Sequence, residues 1–202
     1  MSSIPQLVNG NSLEHGITMF VDHGGTSGTK MTTIGQVAPA QVAAGTSHEN
    51  TTTEGAASRG QIPADTLVVG STVRIWAAGI IEDNNGSDEL VIYVRLGANA
   101  LPASNVAAFT SASINSEDAD IYCVHGLIQI RTVGTGGTAV AMFSYQDPDA
   151  AGTAPKWQYT ASFAVNTTVD NFLDLSADWN AANADNEMNS EIFVVDVCNP
   201  GV

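Results

Sequence analysis

From about residue 53 onward, apolar side chains recur at every second position, the period of a half-buried strand. Val73, Ile75, Ala77, Gly79 and Ile81 share one face, and Leu90, Ile92, Val94 and Leu96 share another. Tyr122, Val124, Gly126, Ile128 and Ile130 alternate next. VGTGGT then supplies turn chemistry, and 139–145 reads as a second apolar strand, a hairpin signal. Further strands are expected over 157–168, 171–179 (Leu173, Leu175, Ala177 and Trp179 on one face) and 190–198. The only helix-like stretch, SADWNAANADNEM, carries enough Asn and Asp to read as a loop or a single turn. No repeat or heptad interrupts the pattern. Short alternating strands joined by Gly, Asn, Asp and Pro turns predict an all-β fold, an antiparallel sandwich or barrel.

Residues 1–52 have a different texture. They are rich in Gly, Ser, Thr, Gln and Ala, and their apolar groups come in short pieces such as Ile17, Met19, Phe20 and Val21. DHGGTSGTK and GTSHENTTTE read as loops. Such a segment lacks a core of its own and gains order against a partner. The chain therefore divides into an extended, flexible N-terminal arm, 1–52, and a β domain, 53–202, with Ile17, Met19, Phe20 and Val21 as candidate contact residues.

One acidic stretch, EDNNGSDE at 82–89, joins two of the period-2 strands. A calcium loop of the EF-hand type needs Gly at its sixth position and Glu at its twelfth. Counted from Asp83, Gly86 is fourth and Val94 is twelfth, so the register fails. NNG supplies residues that tolerate positive φ, and the stretch is expected to be the tip of a hairpin.

At 202 residues and 44% hydrophobic, the chain is long enough for one domain with a sizeable core. Its 21 acids against six Lys and Arg give a formal net charge of −15. A surface that acidic repels phosphate backbones and anionic lipid, so neither nucleic acid nor a membrane is an expected partner. No apolar run approaches the roughly 20 residues a bilayer needs. The opening MSSIPQLVNGNSLEHG has neither a basic nor an apolar signal region, so no secretory leader is expected. Two cysteines, Cys123 and Cys198, are too few for a disulfide scaffold. They read as buried thiols of a chain made in a reducing cytoplasm, with a single disulfide left open.

Candidate chemistry is sparse. The four histidines, His15, His23, His48 and His125, match no metal-ligand spacing. Cys123 and His125 share one strand face, as a nucleophile and base would, but alternation alone produces that pairing. GGTSGT lacks the strand–turn–helix setting of a nucleophile elbow, and GTGG at 134–137 is a turn between strands. Glu82, Asp118, Asp147, Asp149 and Asp174 offer carboxylates for a glycosidase pair, yet they fall mainly in turns, where solubility explains them. Asn50 and Asn166 head sequons that read as chance without a secretory leader. No catalytic, metal-binding or cofactor-binding residue is predicted, and no cofactor. Among the tryptophans, Trp179 continues the apolar face of its strand and reads as core. Trp76 falls opposite Val73 and Ile75, which leaves two readings open: an exposed ring, or one packed on a neighbouring subunit.

The segment TTTEGAASRGQIPADTLVVGSTVRIWAAGII, then LVIYVRLG, then VHGLIQIRTVGTGGTAVAMFSY and the late LDLSADWNAANADNEM, taken together, resemble jelly-roll virion proteins of tailed bacteriophages. These are capsid decoration (cement) proteins or tail and fibre components, and the resemblance covers roughly 51–198. It implies a jelly-roll sandwich with no enzymatic activity, self-associated as a homotrimer and bound to the major capsid protein on the outer surface of the virion head, after synthesis in the host cytoplasm. It brings no catalytic residue with it. Trp76 and the apolar pieces of the arm become interface candidates. Two other readings make different demands. A tail- or fibre-associated module for glycan or receptor requires an exposed aromatic cluster. A β-sandwich glycan hydrolase or lyase requires two close carboxylates with a perturbed pKa.

Overall fold

The structure, a computed structural model, describes residues 17–20, 31–36, 47–83, 87–115, 119–146 and 155–198, the first two segments through their backbone. Alternating apolar positions become strands almost throughout. In chain order these are β1 (Ile17–Phe20), β2 (Met31–Gln36), β3 (His48–Glu49), β4 (Gly55–Ile62), β5 (Thr72–Glu82) and β6 (Glu89–Gly97). A 3-10 turn (Pro102–Ser104) leads to β7 (Val106–Thr110) and β8 (Ile114–Asn115). Then follow β9 (Asp120–Thr132), β10 (Gly137–Gln146), β11 (Lys156–Val165), β12 (Asn171–Trp179) and β13 (Glu187–Cys198).

Two antiparallel sheets face each other. The large one runs β1-β2-β13-β5-β9-β10-β11, with β3 also on β13; the small one runs β4-β12-β6-β7, with β8 also on β6. The expected all-β sandwich is what the chain forms. Its core is built from the inward positions of both sheets, including Val73, Ile75, Leu90, Ile92, Val124, Ile128, Leu173, Leu175 and Val195. Each such side chain contributes about 1.5–3 kcal/mol on leaving water. Phe109 of the small sheet reaches across to Phe143 and Tyr145 of the large one, with ring centroids 5.4 Å away in each case. Trp179 is buried as expected, its indole N–H donating to the carbonyl of His48 at 3.4 Å. Gly126 leaves the room that the Phe143 ring fills from the neighbouring strand, since a Cβ there would run into that ring.

The β9–β10 hairpin pairs as its sequence predicts, from Thr138 opposite Thr132 to Gln146 opposite Cys123. Gly134, at φ 99°, takes the left-handed conformation in the connecting turn. The acidic stretch at 82–89 corrects expectation. β5 belongs to the large sheet and β6 to the small one, so this connection crosses between layers and is not a hairpin tip. Two period-2 strands and a turn look alike in sequence whether the strands pair or separate; residues 84–86 themselves lie outside the described set. SADW is the end of β12, and the expected turn begins after it.

Of the region read as an arm, β1 and β2 pair with each other, and β2 joins β13 at Asp196–Cys198. β3 joins the other end of the same strand, where His48 faces Met188. Among the described residues, no helix is long and apolar enough to cross a membrane.

Candidate functional site

The outward positions of the large sheet form an apolar, aromatic face. Its rows follow from the strand register. One row runs Val194, Trp76, His125, Ser144, Trp157 across β13, β5, β9, β10 and β11. Beside it runs Asp196, Arg74, Leu127, Met142, Tyr159, and on the other side Ile192, Ala78, Cys123, Gln146. Trp76 is 52%, Trp157 69% and Tyr159 63% exposed. His125 stands between the two indoles, stacked on Trp76 at 5.1 Å and edge-on to Trp157 at 6.2 Å. Its Nδ1 and the Ser144 hydroxyl are buried in this row and make no hydrogen bond among the described residues.

A bulge aims the β11 aromatics outward. Ala139 pairs with Phe163 but Ala141 pairs with Thr160, so β11 holds one more residue than its partner across that interval. The extra residue reverses which face the odd positions take. Phe163 and Val165 are therefore buried while Trp157 and Tyr159 are exposed, although all four have the same parity. Beyond the bulge, the edge of β11 leans toward the small sheet: the Thr160 hydroxyl donates to the Ala108 carbonyl at 2.8 Å, and Gln158 accepts from the Thr110 amide at 3.3 Å.

The outer face of the small sheet has the opposite character. Arg95 grips both Glu54 oxygens, at 2.9 and 2.6 Å, and the Ser176 hydroxyl donates to the same carboxylate at 2.6 Å. Arg59 forms a second fork on the buried Asp174, at 2.5 and 3.1 Å. His48 and Asp178 complete the cluster. Burial pushes the Asp178 carboxyl up, with Glu54 adding to the effect; burial pulls the His48 imidazole down, against Asp178 and Glu54. Two carboxylates thus lie near one another, as a hydrolase would require. Glu54, however, accepts three hydrogen bonds from Arg95 and Ser176, which fixes its charge in place.

The other candidates distribute as follows. Trp76 lies at the centre of the aromatic face. Ile17, Met19 and Phe20 are on β1 at the far edge of the same sheet, separated from the strand of Trp76 by β2 and β13; Val21 lies outside the described residues. Cys123 does share a face with His125, but His125 stacks on Trp76, and burial raises the Cys123 thiol, which lowers its thiolate fraction. Cys123 and Cys198 are free. Cys123 is level with Ala78 and Cys198 with Thr72, about 20 Å along the strands at the usual rise per residue. Asp174 is committed to Arg59, and Asp118, Asp147 and Asp149 lie outside the described set. Among the described residues, no three His, Cys, Asp or Glu side chains gather in a way that would hold a metal ion.

Tyr159, Met142, Leu127 and Ile192 are not marked as site residues by the sequence, and Trp157 stands out there only as one of three tryptophans, with no direction assigned. The Trp-x-Tyr alternation at 157–159 was visible, but its direction depends on the bulge. No protein-family model matches the sequence, and no curated protein matches it.

Proposed function

We propose that the protein is a bacteriophage virion structural protein, a capsid decoration protein that stabilises the head by binding the major capsid protein shell in symmetric copies. The observation that carries this reading is the strand order. With β1, the two-residue strands β3 and β8, and the β10–β11 extension of the large sheet set aside, β2-β13-β5-β9 faces β4-β12-β6-β7. Numbering the eight remaining strands along the chain, that is the first, eighth, third and sixth facing the second, seventh, fourth and fifth. This interleaving is what the two Greek keys of a jelly roll require, a fold at home in viral capsids, and it supports the resemblance in sequence. The net charge of −15 suits a surface displayed in many copies that must stay soluble. Repeated weak contacts would then stabilise the shell by avidity.

A fold does not carry a function by itself, so the test is direct. Shells assembled from the major capsid protein of the same phage, but lacking this chain, are mixed with the purified protein and sedimented. Saturable co-sedimentation at a copy number matching the shell symmetry, with a rise in shell melting temperature, is expected. Intact shells that leave micromolar protein in the supernatant would sink the reading.

A second reading, a tail- or fibre-associated module that binds glycan or receptor, is favoured by one observation, the exposed rings of Trp76, Trp157 and Tyr159. It requires the protein's own melting temperature to rise with saccharide.

A further inference from the structure

We propose that the three central rows of the large sheet's outer face are the contact surface for a second copy of this chain. The inference rests on the virion reading for its expectation of symmetric copies, and it names the face that joins them.

The first argument is area. Trp76, Trp157, Tyr159 and Met142 are each more than half exposed, and Leu127 and Ile192 nearly half. With about 200 Å² to an aromatic side chain, these six present on the order of 600 Å² of apolar surface in one stretch. A monomer's largest patch is roughly 300–600 Å². Each partner in a standard interface buries about 800 Å², so this face with its rim is of the right size for a protein and larger than one saccharide covers.

Charge is the second argument. At a net −15, two copies repel over most of their surfaces. Within these rows the ionised side chains are Arg74 and Asp196, which neutralise each other at 2.5 Å across the β5–β13 ladder. Glu82 and Glu187 face each other at the end of that ladder, and Glu191 occupies a bulge beside Ile192. A charge-poor centre with charge at its margin is the anatomy of a protein interface; here the carboxylates stand at the β5–β13 end, and the centre is where like-charged copies can meet.

The third argument is the spread of polar groups. His125 Nδ1 and Ser144 Oγ are buried without partners among the described residues, and the polar atoms of the exposed rings are two indole N–H groups and the Tyr159 hydroxyl. A saccharide site converges several donors and acceptors on its ligand, and a flat face with three is poor in them. A sheet face can instead lie about 10 Å from another sheet, with side chains interleaved. Around a two-fold axis the patch meets itself; around a three-fold axis, the Trp157–Tyr159 edge of one copy meets the Trp76–Ile192 side of the next.

The test is sedimentation velocity with light scattering on the full chain over a micromolar concentration range. The expected mass is two or three times the 20.9 kDa protomer, falling on dilution as tryptophan emission shifts to the red. Trp157→Glu and Tyr159→Glu should each weaken association at least tenfold. Leu101→Glu, at a 70% exposed site between β6 and β7 of the small sheet, should leave it unchanged. Far-UV circular dichroism and a melting curve establish that each variant is folded. An oligomer that survives both face substitutions overturns the inference. So does a wild-type chain that stays monomeric throughout, including one stabilised by a neutral oligosaccharide such as cellohexaose, which would assign the face to glycan. Shell co-sedimentation separates the two failures: a monomer that still binds shells sinks this interface alone, and an oligomer that does not bind shells sinks the virion reading alone.

Discussion

Trp76 and His125 stack across the β5–β9 ladder with their planes 19° from parallel. They are direct register partners, so their Cβ atoms start only about 5 Å apart and the rings rise together from the sheet. Trp157 closes on the other side of the imidazole. His125 is thus the spacer that keeps two indoles upright in one row. His125→Ala should cost about 1 kcal/mol through the lost ring contacts, which lowers the melting temperature by roughly 2–4 °C in a chain of this size. It should also weaken the tryptophan bands in near-UV circular dichroism, while His125→Phe retains them. Unchanged bands in the alanine variant would show that the stack does not order the indoles.

The Arg95–Glu54 pair is a test of buried charge. The two side chains are 15% and 7% exposed, so solvent screens them little. Arg95→Met leaves Glu54 beside Asp178 with no cation gripping it. Breaking one partner of a buried pair costs about 3–5 kcal/mol, which predicts a clear drop in urea midpoint. Adding Glu54→Gln should recover part of the loss, because the uncompensated charge is then gone. If the double variant were as unstable as the sum of the single ones, coupling between the two would be excluded.

Two glycines offer a matched pair. A Cβ on Gly126 would enter the Phe143 ring and approach the Met142 carbonyl, whereas one on Gly136 meets nothing within 4 Å. Gly126→Ala should therefore cost about 1–3 kcal/mol as overpacking, and Gly136→Ala should be close to neutral. Urea unfolding compares them directly; equal midpoints would mean that Phe143 moves aside without cost.

How legible this molecule is depends on whether a feature is local. β12 announces itself, because after Asn171 the residues Leu173, Leu175, Ala177 and Trp179 mark each inward position to its end. β4, GAASRGQI, carries no such stripe: Ser58 faces the interior and donates its hydroxyl to Ser190 at 2.8 Å, and Gly60 presents no side chain. Whether β5 and β6 pair or part is decided by which strands outcompete them as neighbours, namely β13 and β9 on one side and β12 and β7 on the other. The aromatic face is least legible. Trp76 is readable as outward from its own strand, but its row is assembled by register with residues as distant in sequence as Trp157 and Val194. Parity places Trp157 in the core with Phe163 until the β11 bulge is known.

The last prediction concerns acid. His48 is buried on β3, its Nε2 makes no hydrogen bond among the described residues, and its surroundings hold its pKa below the ordinary 6.5. Above pH 6.5 the imidazole is neutral in both folded and unfolded chains, so it carries no pH-dependent penalty. As pH falls through 6.5 the unfolded chain takes the proton first, and stability is lost until the folded-state value is reached. The slope from this one group cannot exceed about 1.4 kcal/mol per pH unit. Asp178 and Asp174, which burial raises above 3.8, act in the opposite sense and lower down: the cost of keeping them ionised is relieved as pH falls through their folded values. The melting temperature should therefore fall between pH 7.5 and 5.5, then decline less steeply as the aspartates protonate. His48→Gln should flatten the upper limb and leave the lower one. If melting curves of the variant keep the full slope between pH 7.5 and 5.5, the acid sensitivity belongs to another group, and β3 is not the place where the fold responds to protons.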